Sequence, residues 1–290
     1  MERQKYGRIS AMRFRFLGTG TSVGVPQIGC TCAVCTSDDP RDKRRRCGAY
    51  VVASDGTAAL LDAPPELREA CLEYKISKVD MVLLTHAHMD HVAGFDDIRR
   101  FNTINGTLVS CDPASPGANG RKERIVGKPM NCMALPETIE QMHHIFPYIS
   151  AKGGENGLYR PQVFFCDNTS PFNIGNVKAE AFRVSHGFAC CGYIFEEGSS
   201  RLAYASDCHE IDDATVEKLR GVDILVLNCL RVREHPTHLS LERSLGYISR
   251  IAPRKAYLVH MCHDFTHQEW LEKLAGTVAE PAYDGLEVEI

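Results

Sequence analysis

The sequence has no apolar run of about 18 residues, the length a helix needs to cross a bilayer, so no membrane-spanning helix is expected. Its opening stretch, MERQKYGRISAMRFRF, lacks the apolar segment of a secretory signal. It also lacks a charge excess of one sign: 33 basic and 37 acidic side chains leave a formal net charge of −4. Broad phosphate binding wants a basic surface, so a nucleic-acid partner is not expected. The one basic run, Arg41 to Arg46, reads as a short solvated loop. There are no internal repeats, no heptads and no domain linker. What remains is an ordinary globular composition, 44% hydrophobic and 24% charged over 290 residues, read as one domain spanning 1–290.

Two residue types stand out instead, 13 cysteines and 12 histidines. An odd cysteine count does not suit a complete disulfide framework. Together with the missing leader it points to a reducing, cytoplasmic setting, where metal binding or burial is the usual fate of a thiol.

Short β-type runs alternate with helical ones. Strands are expected at 12–17, 49–53, 58–62, 79–85, 177–185, 191–196, 201–205, 222–228 and 255–260, with a hairpin turn at Ser54-Asp55-Gly56. Helices fit 64–74, 136–146, 210–220, 239–251 and 266–275. Strands dominating a core with helices interspersed suggest sheets covered by helices. Residues 105–128, rich in Gly, Pro, Ser and Asn, read as a surface loop.

The chemistry concentrates at Thr85-His86-Ala87-His88-Met89-Asp90-His91. His86 and His88 are two apart, so in extended chain they leave on one side. Three imidazoles and a carboxylate suit Zn²⁺, Mn²⁺ or Fe better than Ca²⁺ or Mg²⁺. His186, Asp207 and His260 each end an apolar strand-like run. Alone, each reads equally as a solvated strand-end residue. Together with His86, His88, Asp90 and His91 they make a seven-ligand set, enough for two metals that share a carboxylate. Cys30, Cys32 and Cys35 match structural zinc chemistry but need a fourth ligand. His263, three residues after His260, would let one turn feed both sites.

These residues carry a resemblance. His86-Ala87-His88-Met89-Asp90-His91 is the HxHxDH signature of the metallo-β-lactamase superfamily, and Phe16 to Ser22 (FLGTGTS) looks like its first strand and loop. Cys30, Cys32, Cys35 and His263 together resemble the extra zinc site of PhnP-type phosphodiesterases of the carbon–phosphorus lyase pathway. The resemblance covers roughly residues 12–275. It implies a four-layer αββα sandwich, two catalytic divalent metals (Zn²⁺ or Mn²⁺, or Fe) and one structural Zn²⁺. The implied first metal site is His86, His88 and His186; the second is Asp90, His91 and His260, with Asp207 bridging. Asp62 matches a carboxylate that supports the ligands, although it also fits a turn cap before Pro64. His238 matches the family's proposed general acid, with His235 as its competitor; Asp90 joins it as a catalytic residue.

The implied reaction is hydrolysis of a small cyclic phosphodiester, such as 5-phosphoribosyl 1,2-cyclic phosphate or a 2′,3′-cyclic nucleotide, by a metal-bridging hydroxide. A homodimer is also suggested. Residues 105–128 read as an insertion relative to the family pattern. The alternatives are a tRNA 3′-processing nuclease, another hydrolase of the superfamily, or a non-catalytic metal or redox protein. A basic arm for tRNA is missing, which weighs against the first. No flavin domain fits in 290 residues, which weighs against the last.

Overall fold

A computed structural model describes residues 11–110, 112–114, 120–150 and 160–290. Two seven-stranded sheets stack face to face. The first runs, in spatial order, Glu287–Glu289, Arg13–Gly18, Gly48–Val52, Ala58–Leu61, Met81–Leu83, Met130–Ala134 and Val163–Asp167. The second runs Ala279–Pro281, Lys255–Val259, Ile224–Asn228, Ser200–Ala205, Ala189–Glu197, Val177–Ser185 and Phe172–Ile174. Among the described residues no helix is long and apolar enough to cross a membrane.

The period-2 pattern of the strands decides which side chain enters which layer. Phe14, Phe16, Ala49, Val51 and Leu61 of the first sheet meet Tyr193, Phe195, Leu202, Tyr204 and Val226 of the second in one buried core. Their neighbours in sequence point outward. Leu60 and Val82 pack beneath the helices Leu67–Glu73, Ile98–Ile104 and Pro136–Ile145. Ala203, Leu225 and Leu227 pack beneath Asp213–Leu219, Leu241–Ile251 and His267–Lys273. Central strands are therefore apolar on both faces, as strands covered on both sides must be. The result is the four-layer αββα sandwich expected from the sequence.

Ser54-Asp55-Gly56 forms the expected hairpin turn, with Gly56 at φ 82° and Ala53 N–H bonded to Thr57 O at 2.9 Å. The helix expected over 64–74 begins later, at Leu67, because Pro64 and Pro65 belong to the turn that leads into it. Residues 105–128 are not wholly irregular: Thr107–Ser110 pairs antiparallel with Glu123–Val126 as a separate ribbon. Residues 111 and 115–119 of that segment lie outside the described residues.

Parallel pairing brings the chemistry together. Ala58–Leu61 and Met81–Leu83 run parallel in one sheet, and Ser200–Ala205, Ile224–Asn228 and Lys255–Val259 run parallel in the other. Asp62, Thr85, Asp207, Asn228 and His260 therefore stand at or just beyond carboxyl ends of strands, where open α/β sheets place their binding crevice.

Candidate metal centre

Two donor groups form at these strand ends. Ligand atoms of His86, His88 and His186 lie within 4.8 Å of one another, as do those of Asp90, His91, Asp207 and His260. His186 and Asp207 join them, with His186 Nε2 3.6 Å from Asp207 Oδ1. Asp207 also reaches His91 Nε2 at 3.0 Å and His260 Nε2 at 3.1 Å. All seven residues of the expected set are thus brought to one place.

The chain turns sharply to achieve this. His88 precedes the short helix Met89–Val92, which swings Asp90 and His91 into the second group. Asp62 and His260 both adopt left-handed backbone, φ 61° each, a conformation that non-glycine residues hold only when their surroundings fix it. Around Asp62 that fixing is visible. Thr85 N–H donates to Oδ1 at 2.8 Å, the Thr85 hydroxyl to Oδ2 at 2.9 Å, and His91 Nδ1 to Oδ2 at 2.7 Å. The helix Leu67–Glu73 receives no side-chain cap. The side-chain bonds of Asp62 go to Thr85 and His91, so it positions the His-rich turn rather than capping a helix.

Electrostatics fit a cation. Burial disfavours charge on His91, yet the carboxylates of Asp207 and Asp62 outweigh it and hold its pKa well above the ordinary value. His260, opposed by burial but facing Asp207 and Asp90, is raised to about 9. Burial would raise Asp207, but His260 and His91 hold it well below the usual carboxylate range. Burial also pushes His86 well below the ordinary imidazole value, so that ring is neutral. Buried His91 Nε2, Asp207 Oδ2 and both ring nitrogens of His260 have no hydrogen-bond partner. Of these, His91 Nε2, His260 Nε2 and Asp207 Oδ2 stand together in the second donor group, and unsatisfied polar atoms side by side are the mark of a set arranged for an ion. The donor set fits two divalent metals.

His238 stands beside the centre. Its ring stacks on His260, centroids 4.5 Å apart, and meets His186 at 4.7 Å. His235 touches His238 at 5.1 Å, one ring further out. Asn228 was not singled out from the sequence, although it ends a strand as Asp207 and His260 nearly do. Its amide donates to Ser206 O at 2.7 Å and to His238 Nδ1 at 3.2 Å, while its Oδ1 accepts from Leu239 N–H at 2.8 Å. That fixed amide leaves Nε2 of His238 to carry the proton. His209 is met by Arg243, Nη1 to Nδ1 3.0 Å.

A second cluster joins the two ends of the chain. Sγ of Cys30, Cys32 and Cys35 lie 3.3, 3.4 and 3.3 Å from His263 Nδ1. Near-equal spacings around one nitrogen suit a closed tetrahedral zinc with bonds of about 2.0–2.3 Å. The Cys35 backbone N–H draws the Cys32 thiol down to about 6, and burial pushes Cys35 up to about 11. Buried Arg44 holds the His263 segment by donating to Cys262 O at 2.6 Å and Phe265 O at 2.9 Å. Gly20 lets the FLGTGTS loop lie against Arg44: a Cβ there would stand 2.5 Å from Arg44 O. Every cysteine among the described residues is free of disulfides.

Comparison with known proteins places this arrangement. Residues 57–261 match the model of the Beta-lactamase superfamily domain, a span that includes all seven residues of the donor set. The chain belongs to the beta-lactamase superfamily. Within it, the chain is similar to the crystal structure of a new diphosphatase from the PhnP family, at 33% identity and TM-score 0.79 over 96% of this chain and 98% of that one. Zn²⁺-bound PqqB from Methylobacterium extorquens shares the fold, with TM-score 0.71 and 18% identity over 96% of this chain and 100% of that one. An octanoyltransferase of Porphyromonas gingivalis is 34% identical over 284 residues, 95% of this chain. This chain spans 51% of that relative's length. The superfamily match and the PhnP-family likeness agree with the resemblance read from the HxHxDH and cysteine motifs.

Proposed function

We propose that the chain is a metal-dependent hydrolase of small phosphodiesters, cyclic ones in particular. The observation that carries this is the pair of donor groups sharing Asp207, with His238 stacked on His260 beside them. His86, His88 and His186 would hold one divalent metal, and Asp90, His91 and His260 the other. When bound, two metals supply Lewis-acid stabilisation of phosphate oxygens and a water acidic enough to lose its proton near neutral pH. Cys30, Cys32, Cys35 and His263 would hold a structural zinc that fixes the loop after His260.

The chain's own residues do the rest. Asp62 orients His91, and Asp90 closes the second donor group. His238 turns Nε2 toward the leaving oxygen, while its Nδ1 accepts from the Asn228 amide. Burial, and then the neighbouring His260, lowers His238 to about 2, so the ring is neutral at rest. To act as a general acid the ring must carry both protons, which an anionic substrate alongside favours; Nδ1–H then needs an acceptor in place of the Asn228 N–H, and Asp207 Oδ1 stands 3.8 Å away.

A second reading, hydrolysis of a linear diphosphate, is favoured by the likeness to a diphosphatase of the PhnP family at 33% identity. It would use the same centre, since both reactions need in-line attack at phosphorus. Elemental analysis beside an assay on cyclic diesters, linear diesters and diphosphates tests both. The expected result is about three metals per chain, at least one of them zinc, with cyclic diesters preferred. Fewer than two metals in protein never exposed to chelator would overturn the reading. His238→Ala is expected to keep its metals and lose about 10²–10⁴-fold in turnover on alkoxide leaving groups, and less on p-nitrophenolate.

A further inference from the structure

Phe188 touches the first donor group through His88 and takes no part in the chemistry so far assigned. Phe188 follows His186 and Gly187, which turns at φ 83°. Its ring meets His88 edge to face, centroids 4.9 Å apart and planes at 79°. It is nevertheless 59% exposed, and Met89, next to His88 in sequence, is 56% exposed. Neither residue belongs to the apolar cores on the two sides of either sheet. A single exposed apolar side chain is ordinary. Here the ring is set against a metal-site histidine, His88, whose next residue in the chain is the exposed Met89.

More than half exposed, the Phe188 ring offers an open surface beside a fixed imidazole. Planar unsaturated rings stack on such a face, whereas a sugar or glycerol offers it little. From this juxtaposition we infer that Phe188 is a specificity platform that stacks a planar ring carried by the substrate. The substrate class is then a phosphodiester bearing a nucleobase or comparable aromatic ring, rather than a bare phosphorylated polyol. This rests on the phosphodiesterase reading and deepens it. Phe188 binds the part of the substrate remote from phosphorus, so it selects without touching the reacting atoms.

The test compares adenosine 2′,3′-cyclic phosphate with glycerol 1,2-cyclic phosphate on metal-loaded wild type, Phe188→Ala and Phe188→Tyr. Stacking of a base on an aromatic side chain corresponds to roughly tenfold in affinity or more. The ratio of kcat/KM, adenosine over glycerol substrate, is therefore expected to fall about tenfold in Phe188→Ala and to be kept in Phe188→Tyr. A merely structural disturbance passed through His88 lowers both substrates alike and leaves the ratio unchanged, which overturns the platform while the phosphodiesterase reading stands. If wild type cleaves neither substrate, that reading fails. Calorimetric binding of adenosine 2′-monophosphate against glycerol 1-phosphate then decides the platform by itself. Selective weakening of the adenosine ligand in Phe188→Ala supports it, and equal affinities in wild type and variant overturn it.

Discussion

Asp62 illustrates how a single side chain decides whether a histidine can serve a metal. It accepts three hydrogen bonds, and the one from His91 Nδ1 leaves Nε2 of that ring facing Asp207 at 3.0 Å. Carboxylates that orient a ligating imidazole are worth 10–100-fold in metal affinity. Asp62→Asn keeps the shape but replaces one acceptor oxygen by a donor. It is expected to lower affinity at the dinuclear centre about 10–100-fold, read by competition with a chelator. Zinc bound by the cysteine cluster should be retained and serves as the internal control; an unchanged chelator titration would show that Asp62 only supports the fold. Asn228 is the counterpart on the other sheet, and it was legible in principle. It ends the run Ile224 to Asn228, the position type that singled out Asp207 and His260. A carboxamide is not among the imidazole, thiolate and carboxylate donors of zinc sites, so a search for those donors passes over it.

At the scale of elements, the His-rich turn is strapped to the turn after Asp62. Ala63 N–H donates to His91 O at 2.7 Å and Gly94 N–H to Ala63 O at 2.8 Å. The approach is so close that a Cβ on Gly94 would stand 2.1 Å from Pro64 O, a backbone atom that cannot swing away. Gly94→Ala must push the two turns apart. Overpacking of this kind costs about 1–3 kcal/mol, and the displaced turn carries Asp90 and His91 with it. The expected outcome is a lower urea midpoint together with reduced metal content at the dinuclear centre; full metal content at native stability would refute the strap. Long apolar strands and the hairpin at Ser54-Asp55-Gly56 were readable, because period and turn chemistry are local. The short strands Met130–Ala134 and Val163–Asp167, the helix Ile98–Ile104 and the ribbon at Thr107–Ser110 were not. They owe their form to the sheet edge or partner they meet rather than to their own pattern.

For the molecule as a whole, the buried carboxyl of Asp284 sets a pH dependence separate from the metals. It accepts from the Thr19 hydroxyl and Arg45 N–H, 2.8 Å each, which ties the chain's late turn to its first strand. Burial outweighs those bonds and raises its pKa to about 7. The folded state therefore holds a proton that the unfolded chain releases near pH 4. Its contribution to stability is present below the unfolded pKa and lost as pH rises toward 7. In metal-free protein, stability of the wild type relative to Asp284→Asn should fall by up to about 1.4 kcal/mol per pH unit between roughly pH 4 and 7, then level off. A pH-independent difference in urea denaturation would show the carboxyl to be ionised in the fold.

The sequence alone determined the ligand inventory, because imidazoles, thiols and carboxylates at strand ends are a matter of residue type and spacing. It also pointed to sheets covered by helices, from strand-like runs with helices interspersed, while the four layers came from the HxHxDH resemblance. Tertiary structure alone decided the rest. Asp62 could have capped a helix, and only the parallel pairing of Ala58–Leu61 with Met81–Leu83 set it against Thr85 and His91. His235 and His238 are three residues apart, and only the loop's path laid the second on His260. Phe188 is one apolar residue among many until its ring is found beside His88, half in solvent. These are contacts between segments remote in sequence, and spacing along the chain carries no information about them.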